Sequence, residues 1–104
     1  MRAMWVLVMF DLPVITKPQR KAATEFRKSL IQDGFDMLQY SVYSRPCPSD
    51  ENAAVHVGRV KSIMPPNGQV RILKFTDKQY ARMECYLSRT ATKPESQPSQ
   101  IQLF

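Results

Sequence analysis

The sequence predicts a single small α+β domain, on three observations. Its 104 residues accommodate one domain. Short runs rich in β-branched and aromatic residues alternate with two stretches that carry apolar residues at helical spacing. Proline, glycine and capping residues punctuate the boundaries between them.

The elements follow in order. Met4 to Phe10 is a continuous apolar run that reads as a strand buried on both faces, ended by Asp11-Leu12-Pro13. A helix opens at Thr16 or Lys17, with Pro18 in its first turn, and runs to about Asp33, where Gly34 suits the position after the cap. Its apolar face is Ala22, Ala23, Phe26 and Leu30, and a basic stripe of Arg20, Lys21, Arg27 and Lys28 lies opposite. Residues 35–39 and 41–45 read as two short strands joined tightly, and Pro46-Cys47-Pro48 as a loop. Ser49 or Asp50 caps a second helix with Ala53, Val57, Val60 and Met64 on its inner face. Pro65-Pro66 stops it and Asn67-Gly68 turns the chain into a strand over Gln69–Phe75. Thr76-Asp77 then caps a short helical segment to about Tyr86. Residues 88–100 have the composition of a linker, and Ile101-Gln102-Leu103-Phe104 is an apolar tetrapeptide beyond it. The division is therefore a domain over 1–87, followed by a linker and short C-terminal strand over 88–104.

This βαββαβ order is that of a ferredoxin-like sandwich. Two helices cover one face of a four-stranded sheet, yet the first and last strands carry apolar residues on both alternation sets. An uncovered face of that kind would be a large apolar patch. Its simplest cover is the same face of a second copy, a contact that closes under a twofold axis. The expectation is a homodimer through the sheet faces. The tail residues Ile101, Leu103 and Phe104 are expected to add to a partner's sheet edge.

Composition narrows the partner. Fifteen Lys and Arg against nine Asp and Glu give a formal charge of +6, which favours a polyanion, nucleic acid above all. Lys17, Arg20, Lys21, Arg27 and Lys28 form the best phosphate-binding surface, able to position a duplex without reading its sequence. Cys47 and Cys85 are 38 positions apart, without metal-ligand spacing, and read as reduced thiols. The N-terminal apolar run is too short for a signal peptide and no segment nears the roughly 20 apolar residues of a membrane span. A soluble, intracellular protein without a membrane partner is expected.

Asp11 is the sharpest chemical candidate, a carboxylate at the end of a rigid strand. One carboxylate is too little for a divalent ion, but a twofold axis could bring two copies of Asp11 together on Mg²⁺. The alternative is that Asp11 accepts hydrogen bonds from loop amides. Asp33, Asp36, Asp50, Glu51 and Asp77 fall at element ends where capping explains them, and His56 reads as a surface or packing residue on the flank of the second helix. An RNA-recognition module is excluded, because Gln69–Phe75 lacks the required basic–Gly–aromatic stretch.

Met9-Phe10-Asp11-Leu12-Pro13, Gln19-Arg20-Lys21, Gly34-Phe35 and Gln39-Tyr40-Ser41-Val42-Tyr43 resemble the CRISPR-associated protein two family, the smaller subunit of the CRISPR adaptation integrase. Glu51-Asn52, Arg59-Val60-Lys61, Pro65-Pro66-Asn67-Gly68 and Thr76-Asp77-Lys78-Gln79 look like the subgroup from loci with a single RNA-guided effector nuclease. The resemblance implies a cytoplasmic, prokaryotic homodimer that bridges integrase subunits and holds double-stranded prespacer DNA. As an alternative it implies a magnesium-dependent endonuclease acting on RNA or double-stranded DNA, with Asp11 as metal ligand and catalytic residue. Members often carry Tyr before that Asp, where this chain has Phe10.

Overall fold

The computed structural model describes residues 3–96. In chain order the elements are β1 (Met4–Asp11), α1 (Lys17–Gln32), β2 (Asp36–Gln39), β3 (Val42–Cys47), α2 (Asp50–Ser62), β4 (Gln69–Thr76), α3 (Asp77–Ala81), β5 (Cys85–Leu87) and β6 (Thr90–Thr92). The first four strands form one antiparallel sheet in the order β2-β3-β1-β4, which is the expected ferredoxin-like arrangement with β1 in the middle.

Strand alternation divides β1 cleanly. Val6, Val8 and Phe10 point toward α1 and α2 and join Phe26, Leu30, Phe35, Tyr43, Ala53 and Val60 in one core. Trp5, Leu7 and Met9 point to the other face.

The boundaries of α1 have identifiable causes. Thr16 Oγ1 accepts the Gln19 amide at 3.2 Å, and the Gln19 side chain accepts the Thr16 amide at 3.0 Å, a reciprocal capping box. At the other end Gly34 adopts φ +88°, Gly34 N–H donates to Ile31 O and Phe35 N–H donates to Leu30 O, both at 3.0 Å. That Schellman turn drives Phe35 directly into the core beside Leu30.

Four expectations need correction. Pro46 and Cys47 belong to β3 rather than a loop, since both pair with β1 opposite Trp5 and Met4. His56 is buried on the inner face of α2 rather than set on its flank, beside Val57, which packs against the core as expected, and Met64 lies beyond the helix end and is exposed. The helix after Thr76 stops at Ala81 rather than near Tyr86, because Cys85–Leu87 pairs with Thr90–Thr92 in a hairpin. Part of the stretch read as linker therefore has regular structure: Ser88, at φ +58°, begins the turn, and Thr90 and Thr92 supply β-branched strand residues.

The sheet face away from α1 and α2 is also not wholly bare. Helix α3 folds over its Trp5 end. The Tyr80 ring stacks on Trp5 at 3.9 Å and lies 5.8 Å from Phe75, while Trp5 Nε1 donates to Asp77 Oδ1 at 2.7 Å. Tyr80 OH donates to Glu95, and burial together with that acceptor pushes the phenol up to about 12. Leu7, Met9 and half-exposed Leu73 remain on the part of this face that α3 leaves open.

Candidate nucleic-acid interface and active site

Asp11 is the last residue of β1, placed opposite Gln69 at the start of β4. The chain is clamped there. Gly68 has φ +97°, and a Cβ on it would stand 2.6 Å from the Asp11 carbonyl oxygen and 2.8 Å from Leu12 Cδ2. Only glycine admits that approach without moving the strand end. Asp11 itself is exposed, and Met9, Phe10, Asp11, Gln69 and Arg71 line a shallow depression. By strand alternation Asp11, Met9, Gln69 and Arg71 all project from the open face of the sheet.

The loop amides are not aimed at this carboxylate. Ile15 N–H and Thr16 N–H both donate to Gln19 Oε1 at 3.0 Å, and Pro13 has no N–H to give. Among the described residues no hydrogen bond ends on the Asp11 side chain. Among those residues there is also no group of three His, Cys, Asp or Glu side chains able to hold a metal ion. Asp11 suits a hard cation as one oxygen ligand, but one chain supplies only that one.

The predicted basic stripe divides into two. Lys17, Lys21 and Lys28 share the outer face of α1 with Thr24 and Glu25, in a shallow groove. Arg20 lines that groove but its Nη1 donates to the carbonyls of Ile15 at 2.8 Å and Val14 at 3.2 Å, bracing the loop after β1. Arg27 turns away altogether. Its guanidinium stands 5.9 Å from the Phe10 ring and 5.8 Å from the Tyr40 ring. The reason is angular: Arg20 and Arg27 are seven residues apart on the flank of the helix, between the lysines and the buried Ala23–Phe26 face.

A charged cluster that sequence reasoning missed sits at the opposite end of α1. His56 Nδ1 and Arg59 Nη1 each lie 2.8 Å from an oxygen of Asp33, and Arg45 Nε donates to the Asp33 carbonyl at 2.8 Å. Burial pushes the Asp33 carboxyl up, but the hydrogen bonds and charges of His56 and Arg59 outweigh it and hold the carboxyl below its usual range. Asp33 thus fastens α1 to α2 and β3. Burial likewise raises the Cys47 thiol despite neighbouring Arg45, so this cysteine is inert as a nucleophile. Ile101, Leu103 and Phe104, the expected partner-binding residues, lie outside the described residues.

Fold and site together define a basic ferredoxin-like protein with an exposed carboxylate, Asp11, at the end of its central strand β1. The family model described as CRISPR associated protein Cas2 matches residues 4–83. A protein of Parvibaculum lavamentivorans named CRISPR-associated endoribonuclease Cas2 is 52% identical, over 97% of this chain and all of that protein. Proteins of the same name from Paracidovorax avenae and Flavobacterium psychrophilum are 47% and 43% identical, each over 99% of this chain and at least 90% of the relative. The chain belongs to the Cas2 family of CRISPR-associated proteins. Among the described residues no helix is long and apolar enough to cross a membrane.

Proposed function

We propose that this protein is a metal-dependent endonuclease of the CRISPR system, acting as a symmetric pair of chains. The observation that carries this reading is the Asp11 carboxylate: rigidly placed, exposed, and spared from hydrogen bonding by the described residues. A side chain kept for structure at a strand end would cap the loop, whereas two of the loop amides, those of Ile15 and Thr16, are taken by Gln19 and none is bonded to Asp11 among the described residues.

The open face that bears Asp11 also bears Leu7, Met9 and Leu73, apolar groups that a second copy would cover under a twofold axis. Two Asp11 carboxylates, one from each chain, match the one or two that a magnesium ion takes beside water and phosphate oxygens. When bound, such an ion neutralises charge on the scissile phosphate and acidifies a water. Asp11 fixes the position of that chemistry at the end of β1. Arg71, on the same face, supplies positive charge to a bound phosphodiester, and Lys17, Lys21 and Lys28 hold the strand's backbone. The relatives' shared name supports RNA as a substrate.

The test is cleavage of labelled single-stranded RNA and duplex DNA with magnesium, by the wild-type protein and by Asp11→Asn. Wild type should cut, and the variant should lose activity by about 100-fold or more while binding nucleic acid as before. Equal cutting by both proteins would remove Asp11 from the chemistry.

A second reading is a structural adaptor that bridges integrase subunits and holds double-stranded DNA for spacer acquisition. The placement of the lysines supports it. Lys17 to Lys28 covers about 16 Å of helix axis, longer than one scissile phosphate requires and suited to tracking a backbone. A wild type that binds duplex tightly but cuts nothing would favour this reading over the first.

A further inference from the structure

We propose that Tyr40, backed by Arg27, is a stacking shelf for one unpaired nucleobase at the end of the sheet where β1 finishes in Asp11. Tyr40 occupies the tip of the turn between β2 and β3, and 78% of it is exposed. A lone exposed aromatic is ordinary on a protein surface. This one differs because it is held. The Arg27 guanidinium stands over its ring at 5.8 Å and over the Phe10 ring at 5.9 Å, so one cation spans both aromatics.

The turn is also tied to the strand that ends in Asp11. Phe10 N–H donates to Ser41 O at 3.0 Å. Ser41 takes φ +63°, a conformation that costs a non-glycine residue and is maintained by its surroundings. The Tyr40 ring is therefore positioned relative to Asp11 by the Phe10 link and the Arg27 contact. A base that stacks on it lies on the α1 side of the sheet end whose opposite face bears Asp11, so its strand reaches the carboxylate by passing over that end.

The helical angle that takes Arg27 off the lysine stripe also brings it over the two rings. A planar guanidinium packed against an aromatic ring extends a flat cationic surface, which favours a π-face joined to a phosphate. A base inside a duplex has both faces occupied by its neighbours, so the shelf takes a base from a single strand, of RNA or of DNA. The inference goes with the reading of Asp11 as the cleavage centre, but its binding arm stands without it.

The experiment measures binding of short single-stranded RNA and single-stranded DNA, each carrying one 2-aminopurine, and of the matching duplex, all with Asp11→Asn as the background. Tyr40→Ala should weaken single-strand binding about tenfold or more and abolish the quenching of 2-aminopurine, with duplex binding unchanged. Tyr40→Phe should restore both, which a lost hydroxyl contact or a misfolded turn would not allow. RNA and DNA arms affected alike assign the shelf to the base; loss in one arm alone adds a sugar contact and assigns that strand as the ligand. Equal loss for duplex and single strand, no loss at all, or no single-strand binding by the background protein would overturn the shelf. If wild type does not cut but quenching still depends on Tyr40, the nuclease reading fails and the shelf remains.

Discussion

Two carboxylates of this chain have opposite fates, and the difference is local. Asp33 is enclosed by His56, Arg59 and Arg45 and works as a fastener, whereas Asp11 is exposed and the nearby Ile15 and Thr16 amides are committed to Gln19. Because the Asp33 carboxyl titrates below its unfolded value near 4, its contribution to stability is fully present above that value. It is lost as pH falls through the lower, folded value. Asp33→Asn should therefore cost about 1–3 kcal/mol near neutral pH, with the gap to wild type closing in acid. Urea unfolding of both proteins across pH 2 to 7 measures it, and a gap independent of pH would refute the ion-pair account. Asp11 was legible in the sequence because a carboxylate after an apolar run is a local pattern. The role of His56 was not. Ala53, Val57 and Val60 read as an apolar face without it, and the partner that draws His56 in beside them, Asp33, is 23 positions away in the chain.

Among the elements, those with caps were the ones the sequence announced. Thr16, Gly34, Ser49 and Thr76 are each local signals: α1 begins and ends, and α2 and α3 begin, where those residues direct. The length and packing of α3 are different. Five residues are too few to display a helical period, and its packing depends on a single aromatic meeting Trp5 from the far end of the chain. The β5–β6 hairpin was hidden in the same way, since Thr-Ala-Thr is polar enough to pass for linker. Tyr80→Ala should destabilise the domain by about 3–5 kcal/mol. It should also shift the emission of Trp5, the chain's single tryptophan, to the red as water reaches it. Unchanged emission in the folded variant would mean that α3 does not seal that end of the sheet.

At the scale of the whole molecule, the sheet has one face filled by α1 and α2 and, among the described residues, one face filled only at the Trp5 end. The sequence indicated both surfaces by carrying apolar residues on both alternation sets. It could not indicate how much of the second one α3 takes, and that share reduces the area left for a partner copy to the region of Leu7, Met9 and Leu73. That region is also where Asp11 and Arg71 project, so covering the apolar groups and completing the site are one event in this account. The most direct test is to mix wild-type subunits with Asp11→Asn subunits, let them exchange, and follow magnesium-dependent cleavage as the wild-type fraction changes. If each site needs two Asp11 side chains, activity falls with the square of that fraction, to about a quarter in an equal mixture. Activity that falls only in proportion, to about half, would mean that each chain carries a complete site and would contradict the paired carboxylates.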